Sequence, residues 1–408
     1  MLSKEEQLML TVTIVYPTDP LGVVPGGTDT CIRDILRFAP NDIEIRLVGV
    51  TTDSVNRPLN QWTECEVSGM GFWFFPVLDV TDLKKQMRIP LSVQFTLRLA
   101  GKDIFKDTDV IQFHRIEPAL AALSMEQPKL LIIHQNMNVI HSRKSDIRWK
   151  YFPAAYFWVE NFIIKRMKEI FIVREDAVAE YQARFSEQNE HIHFLPTWMN
   201  PNLFFREEAE TRARNKAEIL EKLGVDPLEE MMVFVGRFDH QKDPLLLIDS
   251  VARVFQKRKT GQLMLIGDGV LRNDVEARIR SYNIENRVHL LGAMPQEDVA
   301  RHVRVSDLLL LTSVYEGMPR CVVEALGCGV PIVTTNAGEV TLLVHNDENG
   351  YIVSRRDPDE FANAVNTALN QLDMLSNLPC LKAVHNYRAG TVLEKLYDTY
   401  RLYARYEQ

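Results

Sequence analysis

The chain has 408 residues, 46% of them hydrophobic, and its 55 Asp and Glu against 47 Lys and Arg leave a net charge of −8. This length accommodates two domains with a sizeable core in each, and the hydrophobic content is typical of a folded rather than a disordered protein. An acidic chain is poorly matched to a phosphate backbone, so we expect no nucleic-acid partner. Five scattered cysteines indicate neither a disulfide framework nor a zinc site.

The first half of the chain alternates short β-branched runs with longer amphipathic stretches, a pattern typical of parallel sheets with crossover helices. A first strand is predicted at 11–17 and a helix at 28–38, and residues 56–80 are predicted to form an antiparallel hairpin. Further strands are predicted at 43–51, 109–115, 129–136, 169–175 and 191–198.

A polar helix predicted at 206–224 separates this series from a second one. The second series contains strands predicted at 231–238, 262–269, 288–294, 307–313 and 331–338. The economical interpretation is an α/β protein with two doubly wound, Rossmann-like sheets joined near 200–205. Ligands of such sheets bind outside the carboxyl ends of the strands, so two facing sheets would form a site in the cleft between them.

The stretch "YEGMPRCVVEALGCGVP" (315–331) has Glu316 and Glu324 on either side of a Gly-Met-Pro turn. Paired carboxylates suggest the acid/base chemistry of a glycoside hydrolase, whereas a loop that opens a helix suggests anion binding. Pro319 is predicted at the first helical position, where its missing N–H costs nothing. A diphosphate would then fit the backbone amides of Gly317, Met318, Arg320 and Cys321. The simpler alternative is a capped helix with one surface glutamate.

The stretch "VGRFDHQKDP" (235–244) ends a predicted strand and carries Arg237 and Lys242. From one loop both side chains could neutralise the charge of a diphosphate leaving group. The alternative is a solvated, charged loop.

The stretch "GVVPGGTDT" (22–30) follows the first predicted strand. Gly26 and Gly27 would let the backbone approach a ligand closely. The pattern is neither a dinucleotide-binding fingerprint nor a Walker A loop. A tight turn without a ligand explains it equally well.

His114 and His134 each end an apolar strand, where a histidine can hydrogen-bond a substrate hydroxyl, although a satisfied core or rim histidine is the simpler interpretation of either one. The acidic pair in "RRDPDEF" (355–361) is better explained by helix capping than by a metal–diphosphate site, so we expect no metal.

Taken together, these motifs resemble the retaining GT-B glycosyltransferases of family 4, the glycosyl transferases group 1. The resemblance rests on G-R-x4-K at Gly236, Arg237 and Lys242, then "IGDG", then E-x7-E at Glu316 and Glu324, then "GVPIVTTNAG". It covers 231–375 most strongly. It implies a nucleotide-sugar-binding domain at 203–375 and an acceptor-binding domain at 1–202, completed by a carboxyl-terminal helix within about 376–408 that crosses back.

The resemblance also implies a role for each motif. Arg237 and Lys242 would bind the donor diphosphate, Glu324 the ribose, and Glu316 the donor sugar. The amides of 317–321 and the Gly26-Gly27 turn would lie beside the diphosphate, and His134, with His114 as second choice, would touch the sugar. The chain departs from the family's interdomain pattern P-N-G-x-D in "PTWMNPNLF" (196–204), where Thr197 and Asn200 replace an amide and an acid.

The expected activity is transfer of a hexose-type sugar from a nucleoside-diphosphate sugar to a hydroxyl acceptor, with retention and without a metal or other cofactor. Such a reaction serves polysaccharide or glycolipid synthesis. The alternatives are a sugar-nucleotide epimerase or phosphorylase of the same architecture and a non-catalytic nucleotide-sugar-binding subunit.

The segment 142–168 is the one locally basic region, with seven Lys or Arg against two acidic residues and seven interleaved aromatic side chains. Aromatic and basic residues on one amphipathic element can lie in a membrane interface, although the rings could equally pack into the core. With no signal-peptide core and no membrane-spanning run, we expect a cytoplasmic protein. Peripheral contact with the inner membrane face and a lipid-linked acceptor are further hypotheses.

Overall fold

A computed structural model describes residues 9–22, 26–67, 69–81, 89–134 and 153–405. The chain divides into two compact units, one made of Met1–Pro196 with Gly390–Gln408 and the other of Thr197–Ala389. Within the described ranges, no helix combines the length and the apolar character needed to cross a bilayer.

The described strands are β1 (Leu10–Val15), β2 (Ile43–Thr51), β3 (Thr63–Val67), β4 (Met70–Asp79), β5 (Val110–Phe113), β6 (Lys129–Ile133), β7 (Glu169–Ile172), β8 (Ile192–Phe194), β9 (Met231–Val235), β10 (Gln262–Ile266), β11 (Val288–Gly292), β12 (Leu308–Leu311), β13 (Ile332–Thr335) and β14 (Gly350–Val353). The described α-helices are α1 (Gly27–Arg37), α2 (Leu91–Leu99), α3 (Ile116–Ala119), α4 (Pro153–Ile164), α5 (Glu175–Arg184), α6 (Ala209–Lys222), α7 (Pro244–Lys257), α8 (Arg272–Ser281), α9 (Gln296–Val305), α10 (Arg320–Gly327), α11 (Pro358–Asn370), α12 (Leu372–Leu375), α13 (Leu378–Ala383) and α14 (Ala389–Arg405).

The sheet of the first unit has the strand order β3-β4-β2-β1-β5-β6-β7-β8. Its pairings are parallel except for the antiparallel β3–β4 hairpin, which confirms the hairpin predicted within 56–80. The central strands are apolar and buried along most of their length, as expected where helices cover both faces of a parallel sheet. The strand order reverses between β1 and β5, so polar residues after these two strands meet at the sheet's switch point.

The sheet of the second unit is entirely parallel, with the order β11-β10-β9-β12-β13-β14. This is the doubly wound order, and its switch point lies between β9 and β12. The four leucines of β12 are fully buried, which fixes this strand in the centre of the sheet. The loops after β9 and β12 are therefore neighbours, although the strands are more than 70 residues apart in sequence.

The last helix, α14, lies in the first unit, as the helix predicted at about 390–406 would. Tyr397 donates from its hydroxyl to the carbonyl of Ile35 at 2.8 Å, and Arg401 pairs with Asp42 through two hydrogen bonds of 2.7 and 2.9 Å. Residues 376–389 lie in the second unit. The first unit is thus built from two separate stretches of chain.

Candidate functional site

The loop after β9 packs backbone to backbone against the loop after β10. The amide of Gly236 donates to the carbonyl of Ile266 at 3.0 Å, and that of Phe238 to the carbonyl of Asp268 at 2.9 Å. A Cβ on Gly267 would lie 1.9 Å from the carbonyl oxygen of Gly236. The first glycine of "IGDG" is therefore needed because any side chain there would push the two loops apart.

Short-range hydrogen bonds fix the backbone of Lys242 at the end of this loop. Its amide donates to the Asp239 carboxylate at 3.0 Å. Asp243 follows as the N-cap of α7, with φ of +43°, and accepts from the amide of Leu246 at 3.2 Å. Pro244 then occupies the first helical position. Asp239 thus stabilises the turn and Asp243 caps the helix. Because the backbone on both sides is fixed, the side chain of Lys242 leaves the loop in a defined direction.

Lys242 forms an ion pair with Glu316, which follows the neighbouring strand β12. The distance from Nζ to Oε1 is 2.6 Å, and the hydroxyl of Ser313 donates to the same carboxylate oxygen at 2.5 Å. The side chains of Lys242 and Glu316 are only 15% and 7% exposed. Burial lowers the pKa of the Lys242 ammonium, but attraction to the Glu316 carboxylate outweighs it, and the pKa is raised overall. The switch point therefore holds a cation and an anion together.

The loop before α10 is held by contacts from two other segments. The hydroxyl of Thr197 donates to the carbonyl of Met318 at 3.1 Å, and the amide of Glu339 donates to the carbonyl of Gly317 at 2.9 Å. A Cβ on Gly338, whose φ is +66°, would lie 2.1 Å from the carbonyl oxygen of Gly317. Thr197, one of the departures from the family pattern, thus positions the very loop predicted to bind phosphate.

Pro319 is the N-cap of α10 and not its first helical residue, so that prediction was wrong by one position. Its φ of −70° suits a helix, but its ψ of 114° is extended. The proline ring restricts φ and leaves ψ to the surroundings, which explains the difference. The helix begins at Arg320, and the amide of Val322 donates to the carbonyl of Pro319 at 3.1 Å.

The side chains of Met318 and Cys321 point into the protein, with residue exposures of 5% and 7%. Burial raises the pKa of the Cys321 thiol to about 12, so the thiol stays protonated at neutral pH. These side chains belong to the core, and only the backbone at these positions can serve a ligand, which is the role predicted for them.

Glu324 lies one turn into α10 and is buried, with 7% of the residue exposed. Its Oε1 accepts from Nε of Arg320 at 3.3 Å and from the amide nitrogen of Gln296, on α9, at 3.4 Å. Both hydrogen bonds are longer than the two that Glu316 accepts from Lys242 and Ser313.

Arg237 is the predicted site residue most open to solvent in the second unit, with 68% of its side chain exposed. Its guanidinium contacts the carboxylate of Asp239 at 3.1 Å and the side-chain oxygen of Gln241 at 3.3 Å. The amide of Val314 donates to the carbonyl of Gln241 at 2.7 Å, which joins this loop to the segment leading to Glu316. Arg237 and Lys242 thus share one loop, where the first is exposed and paired with Asp239 and the second is buried and paired with Glu316.

In the first unit, Gly26 and Gly27 form the start of α1. Gly26 is the N-cap, and its amide donates to the carboxylate of Asp29 at 2.6 Å. A Cβ on Gly26 would lie 2.7 Å from that carboxylate, whereas one on Gly27 would meet nothing within 4 Å. A side chain at 26 would therefore displace the Asp29 carboxylate, whereas the open space at 27 leaves room beside the helix start.

His114 and His134, at the ends of β5 and β6, are hydrogen-bonded to each other. Nδ1 of His114 lies 2.8 Å from Nε2 of His134, and the rings are nearly parallel, at 9°. Burial, and after it the neighbouring His134, hold the pKa of His114 well below its usual value, so this imidazole is neutral at pH 7. Both residues line a pocket at the carboxyl ends of β5 and β6, together with Tyr16, Thr28, Arg115, Glu117 and Tyr156.

Several residues that support these groups were not found from the sequence. Ser313 binds Glu316, Arg356 donates to the carbonyls of Thr312 and Ser313 at 2.8 and 2.7 Å, and Gln112 lies 2.8 Å from His114. The only sequence signal for these residues was their location, in or directly after a predicted strand or within the motif "RRDPDEF". The cap predicted in that motif is confirmed, since Asp357 accepts from the amides of Asp359 and Glu360.

No three His, Cys, Asp or Glu side chains of the described ranges are grouped as ligands of a metal ion.

Residues 215–378 match the family model described as "Glycosyl transferases group 1". The curated relatives include the Escherichia coli UDP-Gal:alpha-D-GlcNAc-diphosphoundecaprenol alpha-1,3-galactosyltransferase, 28% identical over 194 residues, which are 46% of this chain and 50% of the relative. The D-inositol 3-phosphate glycosyltransferase of Rhodococcus jostii is 26% identical over 200 residues, 47% of this chain and 44% of that protein. The chain thus spans about half the length of these curated relatives.

Among solved structures, sucrose-phosphate synthase from Thermosynechococcus elongatus superposes with a TM-score of 0.77 at 18% identity and covers 96% of this chain and 98% of its own. HepE from Anabaena, solved in complex with UDP and glucose, gives a TM-score of 0.72 at 17% identity, with 96% and 99% covered. At such identities the likeness shows the fold. The segment 215–378 thus matches the glycosyl transferases group 1 model, and the chain shares the fold of these solved structures.

Proposed function

We propose that this protein transfers a hexose-type sugar from a nucleoside-diphosphate sugar to a hydroxyl acceptor with retention of configuration. The observation that carries the proposal is the buried Lys242–Glu316 pair at the switch point between β9 and β12, where doubly wound sheets bind ligands. The matched family and the relatives named as glycosyltransferases support the same reaction class.

The donor diphosphate would lie between the loop after β9 and the start of α10. Arg237 is exposed there and would form charge-assisted hydrogen bonds with phosphate oxygens. Lys242 would share its charge between Glu316 and the diphosphate. The backbone of 317–321 at the helix start adds amide dipoles that favour an anion. Glu324, held by two long hydrogen bonds, would accept hydrogen bonds from ribose hydroxyls.

Glu316 would contact the donor sugar and would not act as the nucleophile. Its Oε1 already accepts from Ser313 and pairs with Lys242, an arrangement that holds a carboxylate in place and lowers its reactivity. In the proposed front-face reaction, the acceptor oxygen bonds to the anomeric carbon as the bond from that carbon to the phosphate oxygen breaks. The acceptor's proton passes to the departing phosphate oxygen. Preorganised positive charge would provide much of the rate enhancement.

We propose that the reaction needs no metal ion or other cofactor, because two cationic side chains of one loop are available to the departing diphosphate. Lys242 keeps its charge at neutral pH, since its pKa is raised, and Arg237 is charged at any physiological pH. Unchanged turnover in EDTA is the expected result.

The first unit would hold the acceptor and the sugar. Its pocket at the ends of β5 and β6 contains His114 and His134, and polar side chains around it suit a hydroxyl compound. His134 would touch the donor sugar, and the Gly26-Gly27 turn at the start of α1 would lie beside the diphosphate.

A lipid-linked acceptor approached at a membrane surface is part of the proposal. In the described portion of 142–168, Trp158 on α4 is 68% exposed and stacks on Phe162, and the guanidinium of Arg166 lies 3.7 Å from the Phe162 ring centre. An aromatic and cationic face of this kind suits an anionic lipid interface. Residues 142–152 lie outside the described ranges. Flotation with anionic vesicles, lost in Trp158→Ser, is expected, and no flotation of the wild type would contradict it.

The test is mass-spectrometric turnover of UDP-, GDP-, ADP- and dTDP-linked sugars by the full chain, with EDTA and a mixture of hydroxyl acceptors. One nucleoside diphosphate should be released, and the release should be lost in Glu316→Ala. The matched control is Glu360→Ala, which removes a carboxylate paired with the exposed Arg355. Full turnover by Glu316→Ala would refute the assignment.

A further inference from the structure

A chain of hydrogen bonds runs from the last helix of the first unit to His134. The hydroxyl of Tyr400, on α14, donates to Oε1 of Gln112, in the middle of β5. Nε2 of Gln112 lies 2.8 Å from Nε2 of His114, and Nδ1 of His114 lies 2.8 Å from Nε2 of His134. Tyr400 and Gln112 are fully buried, and His114 is 4% exposed. The first three side chains therefore order one another away from bulk water, and the partly exposed His134 ends the series.

Each link in this chain has a direction that follows from the donors and acceptors available. Burial raises the pKa of Tyr400 well above its usual value, so the hydroxyl keeps its proton. This buried hydroxyl is most stable when it donates a hydrogen bond to a carbonyl oxygen. With Oε1 of Gln112 accepting from Tyr400, the amide NH₂ of Gln112 faces His114. Nε2 of His114 must then accept.

The two imidazoles complete the chain. A neutral imidazole has one N–H donor and one acceptor nitrogen, so His114 carries its proton on Nδ1. Two imidazole nitrogens at 2.8 Å share one proton between them, and this proton belongs to His114. Nε2 of His134 is then an acceptor, and a neutral His134 carries its own proton on Nδ1.

We propose that Tyr400 and Gln112 are positioning residues that fix the tautomer of His134, so that its Nδ1 is a hydrogen-bond donor. The inference rests on the proposed function for the identity of the ligand, which would be a sugar hydroxyl or phosphate oxygen that accepts from this nitrogen. It assigns His134 to hydrogen-bond donation and excludes it as the base that removes the acceptor's proton. The charged groups of the same pocket, Arg115 and Glu117, are paired at 3.2 Å.

The most direct test reverses the donor and acceptor roles along this series of hydrogen bonds. A carboxylate accepts hydrogen bonds at both oxygens, so in Gln112→Glu it would accept from Tyr400 and from Nε2 of His114. The proton of His114 would move to Nε2, its Nδ1 would accept from Nε2 of His134, and Nδ1 of His134 would become an acceptor. The substitution keeps the size of the side chain while it inverts every link beyond Tyr400.

A second variant relies less on a buried charge. Tyr400→Phe removes only the hydroxyl, so the Gln112 amide loses the group that sets its orientation and can turn over. Both histidines should then show a mixture of tautomers. Tyr397→Phe is the matched control, because Tyr397 is a buried tyrosine of the same helix whose hydroxyl bonds the Ile35 carbonyl outside the chain.

The measurement is ¹⁵N NMR of the imidazoles in the histidine-labelled full chain at about pH 7, where protonated and unprotonated ring nitrogens are well separated. The His134 signals are assigned by their loss in His134→Asn. The wild type and Tyr397→Phe should show Nδ1–H at both histidines, Gln112→Glu should show Nε2–H, and Tyr400→Phe should show both forms. For turnover, kcat should fall by roughly tenfold in Gln112→Glu, as expected when a donor becomes an acceptor.

An Nε2–H or doubly protonated His134 in the wild type would overturn the proposal, and so would an unchanged single tautomer in Tyr400→Phe. If Gln112→Glu does not fold, these two measurements decide. The spectra are recorded on the free protein and need no substrate. Absence of glycosyl transfer would therefore refute the proposed function and leave the tautomer assignment to be judged on the spectra alone.

Discussion

The buried Lys242–Glu316 pair should give a strong electrostatic coupling that can be measured by mutation. At 2.6 Å and an effective dielectric of about 20, the attraction is on the order of 6 kcal/mol before desolvation is subtracted. Removing one partner of a buried pair typically costs about 3–5 kcal/mol because it strands the other charge. Since Lys242 is 15% exposed, we expect the lower end, about 3 kcal/mol, for Glu316→Ala.

A double-mutant cycle separates this coupling from the loss of packing. Lys242→Met with Glu316→Ala should recover about 2 kcal/mol relative to the sum of the single changes, since the double variant strands no charge. The second unit has a single tryptophan, Trp198. Its free energy of unfolding is therefore followed by hydrogen exchange of peptides that cover β9 and β10. Glu360→Ala, at an exposed pair, should change that free energy by less than about 1 kcal/mol.

A coupling energy below about 0.5 kcal/mol would refute the reasoning, because it would mean that water, and not Glu316, compensates the ammonium. Addition of a nucleoside diphosphate extends the experiment. It should stabilise Glu316→Ala by more than it stabilises the wild type, since the diphosphate would supply the missing negative charge to Lys242. Equal stabilisation would indicate that the diphosphate does not reach this lysine.

Three further predictions concern single features. Arg237→Ala should weaken nucleoside-diphosphate binding by roughly tenfold to a hundredfold in calorimetry, and leave the midpoint of thermal unfolding unchanged because the side chain is exposed. Gly338→Ala should destabilise the second unit by well over the 1–2 kcal/mol expected for Gly292→Ala, because both have positive φ but only Gly338 faces a carbonyl, and equal losses in urea unfolding would contradict this. Acidification below about pH 6.5 should destabilise the first unit, because the pKa of His114 is lowered in the folded state and the unfolded chain therefore binds the extra proton. The free energy of unfolding, measured by hydrogen exchange, should fall by up to about 1.4 kcal/mol per pH unit, and His114→Gln should reduce this slope.

The fold was largely predictable because its strands are short apolar runs and its helices are amphipathic. The predicted strands from 11–17 to 331–338 correspond to β1, β2, β5–β13 within a few residues, and the 56–80 hairpin is β3 and β4. The edge strand β14 was missed because four residues with a glycine and a tyrosine give little signal. The start of α10 was misplaced by one residue because sequence predicts the φ of Pro319 but not its ψ.

Local motifs single out each candidate site residue, but they do not predict which residues it contacts. From the sequence, Lys242 is predicted to bind a phosphate and Glu316 a sugar. Their ion pair was not predicted, because the two residues are 74 positions apart and meet only since β9 lies beside β12. Likewise, Gln112 is one polar residue in an apolar strand, and its contact with Tyr400 spans 288 positions. Such pairs follow from sheet order and helix placement, which local patterns do not specify.

The interrupted course of the first unit has a consequence for biosynthesis. Residues 197–389 are continuous, so the second unit can fold as soon as they have left the ribosome. Synthesis of the first unit begins earlier, yet this unit lacks α14 until residues 389–405 have been made, and the partner of Asp42, Arg401, lies 359 positions later. A nascent chain stopped at 389 would leave Gln112 and the Ile35 carbonyl without their tyrosine partners. The unit whose synthesis begins first can therefore be completed only after all residues of the other unit have been synthesised.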